Sequence, residues 1–283
     1  MTYQQELNDL RRELIKSEAT TLSWWPKVLG QNVDVSSTPS DNTFTVHKPD
    51  GTEIQGTTNA SRVVITPDAR LDMAVNAIAD LDEDYQVRLT WKETGGTVHK
   101  ELLHFDVVLV PFGPPSISLS ALREERPDIA DYLVRFYRKI LPAGAASTDE
   151  ERAEVAAGIY AVRARVELDA LIRAQINEDA QQAVSSYEHA DTEQTRFTRP
   201  RLILNRERLN RVERKIAMKL IFAADAKDPE DGSEDSAALF RHFRGEANTA
   251  WKSIGPLRYD TDDDLVPDRT IEAVSTVTMI ERV

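Results

Sequence analysis

Apolar and polar positions change period along the chain, and the changes mark out its elements. Leu7, Leu10, Leu14 and Ile15 recur at helical spacing among charges, which predicts a short helix over 3–18. Its opposite face is polar, so it must lean on another element. The stretch TLSWWPKVLG follows, and the adjacent Trp24 and Trp25 read as an anchor packed beneath the next domain. From about residue 28 to 112 the period falls to two, with turn signals between runs. Thr43 to His47 alternates, and Pro49-Asp50-Gly51-Thr52 reads as a tight hairpin turn. Arg62 to Thr66 is a second strand-like run. Gln86 to Trp91 alternates again, Gly95-Gly96 turns, and Thr97 to Val110 supplies one or two more strands.

Several short strands closed by regular turns predict an antiparallel β-sandwich. Within it, Leu81-Asp82-Glu83-Asp84-Tyr85-Gln86-Val87 resembles the tyrosine-corner sequence of immunoglobulin-like and fibronectin-like domains. In that motif a tyrosine near the start of a late strand bonds back to nearby backbone, and Trp91 would fill the core between the sheets. The proline-rich stretch PFGPPSIS, residues 111–118, reads as an extended hinge and as the main domain boundary.

Beyond the hinge the period is near 3.6. Pro127 suits a first helical position, with Ile129, Leu133, Phe136 and Ile140 on one face until Leu141-Pro142-Ala143-Gly144 stops the helix. Thr148-Asp149-Glu150-Glu151 is a capping box. The helix it opens is expected to run to about residue 188, with Val155, Ile159, Val162, Val166 and Ala170 on one stripe and a kink or break within it. Asn205 is placed to cap a helix that aligns Leu209, Val212, Ile216 and Leu220. After the acidic loop KDPEDGSED, a last helix aligns Phe240, Phe243, Ala247, Trp251 and Ile254. The end, Arg269 to Val283, is rich in β-branched residues and reads as an extended arm with no local hairpin partner. A lone strand needs an edge, either on its own sandwich or on another chain.

These elements predict an α+β multidomain chain: an N-terminal helix and tryptophan anchor (1–27), an immunoglobulin-like antiparallel β-sandwich (28–112), a proline-rich hinge (113–118), an α-helical bundle (119–256), and an acidic turn with an extended C-terminal arm (257–283).

Composition narrows the chemistry. The 283 residues include no cysteine, which excludes disulfide scaffolds, thiolate metal sites and cysteine nucleophiles. No run is long and apolar enough to span a bilayer, and MTYQQELNDLRREL lacks the apolar segment of a secretory leader. The net charge is −13, but it is uneven. Residues 1–115 and 220–283 are acidic, whereas 116–219 is nearly neutral and holds a basic run from Arg196 to Lys219. On a helix Arg208, Arg211, Lys215 and Lys219 fall in one stripe, suited to phosphates or to an acidic neighbouring subunit. None of His47, His99, His104, His189 and His242 sits in a metal-binding pair, and each reads as a surface histidine. Asp260, Asp262 and Asp264 have the spacing of a calcium loop, yet Leu265 and Ile271 stand where that loop needs glycine and glutamate. An acidic turn is therefore expected there, with no metal, no cofactor and no enzymatic site.

The order of parts is similar to a known family. A strand-rich module ends in Phe105-Asp106-Val107-Val108-Leu109-Val110-Pro111-Phe112, a proline hinge follows, and Leu119-Ser120-Ala121-Leu122 opens the helical region. The Trp251 helix, the Leu257-Arg258-Tyr259-Asp260 turn and the β-branched arm complete it. The arrangement resembles the head-to-tail connector (adaptor) proteins of tailed bacteriophages, best over 119–283, with the sandwich as an added decoration module. The resemblance implies a virion protein of the neck, assembled in the host cytoplasm as a homo-oligomeric ring of usually twelve subunits. It implies contact with the portal protein above, with a downstream neck or tail-completion protein below, and non-specific proximity to packaged DNA, without a membrane. The arm, with Ile271, Val274, Thr276, Thr278 and Ile280 along it, would insert against the portal. Two alternatives stay open: another tail, baseplate or decoration protein, and a nucleic-acid-binding module using the basic helix of 196–219.

Overall fold

The computed structural model describes residues 10–28, 31–56, 63–66, 70–113, 115, 117–140, 148–186, 197–226, 234–260 and 269–270. Among the described residues the fold is mixed α+β, with five α-helices and two principal sheets, neither closed into a barrel. It divides into a sheet unit, residues 11–111 with 199–202, and a helical unit made of the remainder.

The sheet unit contains β1 (Arg12–Ile15), β2 (Thr20–Trp24), β3 (Lys27–Val28), β4 (Gln31–Asn32), β5 (Thr43–His47), β6 (Glu53–Gln55), β7 (Val63–Ile65), β8 (Leu71–Val75), β9 (Asp82–Lys92) and β10 (Val98–Val108). One sheet has the order β1-β10-β9-β5-β6, with β1 parallel to β10 and the other pairs antiparallel. The second has the order β2-β8-β7, all antiparallel, and β3 pairs with β4. Alternation sets the faces: Tyr85, Val87, Leu89 and Trp91 of β9 are buried, and their neighbours point the other way. Both sheets contribute to one core, in which Phe44, Val46, Phe105 and Val107 meet Leu22, Leu71, Met73 and Val75. The two glycine turns form as expected, with Gly51 at φ +86° and Gly96 at φ +99°, a backbone region costly for other residues. The Tyr85 hydroxyl donates to the Asp80 carbonyl at 3.1 Å, the backward bond its motif predicts.

The N-terminal helix predicted over 3–18 is not what residues 12–15 form. They are strand β1, and residues 3–9 lie outside the described residues. The charges that suggested a solvated helix face are tied into the sheet unit instead. Arg11 Nε and Nη2 each reach the fully buried Asp106 carboxylate at 2.6 Å. The Arg12 guanidinium lies over the Trp24 ring at 5.5 Å. Glu13 accepts from the Arg199 guanidinium at 2.7 Å, while Leu14 enters the core. Tertiary partners override the helical spacing, and the sheet unit begins near Arg11 rather than at residue 28. Residues 199–202 complete it: Pro200 accepts from the Leu109 N–H at 2.9 Å, and Arg199 donates to the Val110 carbonyl at 3.0 Å.

The helical unit contains α1 (Leu119–Glu125), α2 (Ile129–Ile140), α3 (Asp149–Ser186), α4 (Arg206–Ala226) and α5 (Glu234–Lys252). Thr148 and Glu151 cap α3 reciprocally, each accepting the other's backbone N–H at 3.2 Å. Asn205 caps α4 through the Arg208 N–H, also at 3.2 Å. The α3 helix shows no break over its 38 residues, about 57 Å at the usual rise. It contains no proline and one glycine, so none of the usual causes of a sharp kink except Gly158 is present. Its buried face also differs from the expected stripe. Ile159 and Val162 are buried, but Val166 and Ala170 are exposed, and Ala153, Tyr160, Ala164, Leu168, Ile172 and Ile176 are inside instead. Small alanines allow α2 and α4 to approach α3 closely. On α4, Leu209, Val212 and Ile216 are buried as their spacing requires, and on α5 so are Phe243, Ala247 and Trp251.

After α5 the chain forms β11 (Arg258–Tyr259), which pairs antiparallel with β12 (Arg269–Thr270). The start of the predicted arm therefore has a local hairpin partner, contrary to the reading of Arg269 to Val283 as a wholly unpartnered segment.

Candidate functional site

The basic stripe exists as a line of residues, but the helical unit takes up most of its charge. Lys215 Nζ donates to Glu125 at 2.6 Å and to Glu246 at 2.7 Å. Burial works against the Lys215 ammonium, yet the two carboxylates outweigh it and hold its pKa above the ordinary lysine value. Lys219 is paired with Glu167 of α3. Arg214, beside the stripe, meets Glu124 at 3.3 Å. Arg208 is exposed and donates to the Ile254 carbonyl at 2.9 Å, which leaves its charge without a carboxylate among the described residues. Arg211 is also exposed and has no ion pair among the described residues.

Arg211 opens onto a groove of about 560 Å³ between α4 and α5. One wall is Arg211 and Lys215 of α4; the other is Arg241, His242 and Glu246 of α5. Arg241 donates its Nε–H to the Ala237 carbonyl at 3.2 Å and has no carboxylate partner among the described residues. His242 Nε2 stands 3.6 Å from Glu246. Gly245, Thr249 and Ser253 line the α5 side, and both hydroxyls donate within their own helix, to Gly245 at 3.0 Å and to Ala250 at 2.7 Å. The Lys215 bond, followed by the charges of Lys215, His242 and Arg211, holds Glu246 ionised below the usual glutamate range. Arg241 and His242 carry no strong sequence motif. Only the packing of α4 on α5 places them in the same groove as Arg211.

A second depression, of about 380 Å³, is lined by Arg123, Arg135 and Arg138 together with Asp131, Asp149 and Glu150. Its charges cancel: Arg123 is bidentate to Glu150 at 2.6 Å, and Arg138 reaches Asp149 at 3.2 Å.

Two buried polar clusters escaped the linear reading. Arg165 donates to Glu213 at 2.8 Å and to the Gly113 carbonyl at 2.6 Å, with both side chains almost wholly inside. Burial pushes the Glu213 carboxyl up and the Arg165 charge only partly offsets it. Asp179, near the end of α3, accepts from Tyr259 and from Gln175, each at 2.8 Å. Burial raises the Asp179 pKa against the pull of those two donors, and burial likewise raises that of Tyr259. The Tyr259 contact ties the root of the C-terminal segment to the long helix.

Asp260, the first of the three aspartates with calcium-loop spacing, is fully buried; Asp262 and Asp264 lie outside the described residues. Among the described residues no group of three or more histidine, aspartate or glutamate side chains is placed to hold a metal ion. The arm residues Ile271, Val274, Thr276, Thr278 and Ile280 also lie outside the described residues. His47 is buried rather than on the surface, its ring bonded to Thr45 at 2.8 Å and to the Gly51 carbonyl at 3.1 Å. His99 stacks on Trp91 with centroids 4.2 Å apart, while His104 and His242 are exposed and His189 lies outside the described residues. No described helix is long and apolar enough to cross a membrane.

No family model, curated protein or solved structure matches this chain.

Proposed function

We propose that the protein is a non-enzymatic structural component of a tailed bacteriophage virion, a head-to-tail adaptor that assembles as a ring between the portal and the next neck protein. The observation that carries this reading is the helical unit with α1 to α5, which falls in the region the adaptor resemblance covers best, while the sheet unit is an addition to that pattern. The strand orders β1-β10-β9-β5-β6 and β2-β8-β7, the parallel β1, and the Tyr85 bond to Asp80 support an immunoglobulin-like sandwich as the decoration module. The packing of α2, α3, α4 and α5 supports a helical bundle as the ring-forming body.

The arm of 271–283 is the proposed portal contact. Because β12 pairs with β11, a truncation after Thr270 removes the arm while leaving that ladder in place. The truncated chain should keep the circular dichroism and melting behaviour of the full chain and fail to co-assemble with portal. Co-assembly of the truncated chain would remove the arm from the proposal. Native mass spectrometry or electron microscopy tests the ring itself: twelvefold symmetry supports the adaptor, whereas threefold or sixfold assembly identifies a tail or baseplate component.

A further inference from the structure

We propose that the groove between α4 and α5 binds the phosphate backbone of duplex nucleic acid, with Arg211 and Arg241 as its principal contacts. The chain carries 48 acidic against 35 basic residues, and most described cations of the helical unit have found a carboxylate within it. Arg211 and Arg241 make no ion pair among the described residues, and Arg211 reaches Glu246 only through space, although acidic side chains outnumber basic ones. Both line the one groove, and Arg208 lies one turn before Arg211 on α4. Three exposed guanidiniums along one surface are the donor type best matched to phosphate oxygens. The carboxylate in the groove, Glu246, shares Lys215 with Glu125 and has the His242 ring 3.6 Å away, so its charge is partly offset where it stands. Gly245 presents no side chain, and a Cβ there would meet open space, so the α5 wall leaves room for a backbone to approach.

The lining also distinguishes nucleic acid from an acidic protein partner. A specific protein interface needs a desolvated core with apolar or aromatic anchors. The exposed side chains of this groove are charged or hydroxylic, and its one apolar lining residue, Ala250, is buried. Contacts to phosphates need no such anchor and carry no sequence information. Binding should therefore be weak, independent of sequence and steeply dependent on salt.

This proposal rests on the groove alone and stands whether or not the chain forms a ring. Its test is fluorescence anisotropy of the full-length protein with a short labelled duplex of mixed sequence, from about 50 to about 200 mM salt. Neutralising about three phosphates gives a slope of log K against log salt near −2.7. Arg211→Gln and Arg241→Gln should each weaken binding and flatten that slope by about 0.9. Lys100→Gln, on the exposed face of β10 in the sheet unit, should change neither. All three positions are exposed, and matching thermal melts confirm that the variants fold. The proposal is overturned if no duplex binds at the lowest salt or if the two arginine variants bind as the parent does. Capture of polyglutamate without capture of duplex would also overturn it, and would put an acidic protein in the groove.

Discussion

Glu213 and Arg165 show how much a single buried charge can depend on its partner. The Glu213 side chain is wholly inaccessible and Arg165 nearly so, and each supplies the other's counter-charge. Replacing Glu213 with Ala leaves a guanidinium buried without it, and should cost about 3–5 kcal/mol of stability. A paired replacement of both residues by Leu and Met should cost much less, which a double-mutant cycle in denaturant would measure. Tyr85 makes a different kind of statement. Burial, followed by the charges of Asp80, Asp82 and Asp50, raises its pKa to about 12. In the unfolded chain a tyrosine ionises near pH 10. Between those values the folded state holds a proton that the unfolded state has lost, so stability falls as pH rises through about 10 to 12. Tyr85→Phe should remove that part of the alkaline dependence. At neutral pH it should cost about 1 kcal/mol, the worth of the bond to Asp80. Comparing denaturation midpoints of the two proteins at pH 7 and in the alkaline range separates the effects.

At the scale of elements, local chemistry and tertiary pairing contribute unequally. The α3 helix starts where its capping box says it should, because Thr148 and Glu151 satisfy each other's backbone N–H without help from elsewhere. Thr148→Ala should cost about 1 kcal/mol and fray the first turn, seen as a lower melting temperature of the helical signal. The β9 strand is equally legible, since its alternation presents Tyr85, Val87, Leu89 and Trp91 to one face. β1 is the opposite case. Leu10, Leu14 and Ile15 fit a helical template, but the register of Arg12–Ile15 against Phe105–Val108 joins backbone some 93 residues apart in the chain. A spacing rule that looks only a few residues ahead has no access to that partner. The buried face of α3 departs from the expected stripe for a related reason. Over residues 153–165 burial extends well beyond a single stripe, because neighbouring helices cover more than one side, and alanines take up positions that branched side chains were expected to fill.

For the whole molecule, the division into two units matters more than the net charge. Composition placed acidic segments around a basic middle and suggested that subunits meet through complementary charge. The structure assigns much of that complementarity to contacts inside the helical unit, where Lys215, Lys219 and Arg214 already have glutamate partners. What remains for a partner is narrower: the α4–α5 groove for phosphates, and the arm for the portal in the proposed ring. The two are separable, since arginine substitutions in the groove should leave ring symmetry unchanged and arm truncation should leave duplex binding unchanged. The proline-rich stretch is likewise one of several crossings between units, because the chain returns to the sheet unit at Arg199–Leu202 before resuming the helices. By itself the sequence determined the glycine turns, the helix caps and the alternation of β9. Each of these depends on backbone conformation and near neighbours, which a linear string contains. Only the tertiary structure decided the identity of β1, the place of Arg199 in the sheet unit and which cations stay unneutralised. Those depend on partners such as Glu125 and Lys215, 90 residues apart, whose meeting is set by packing.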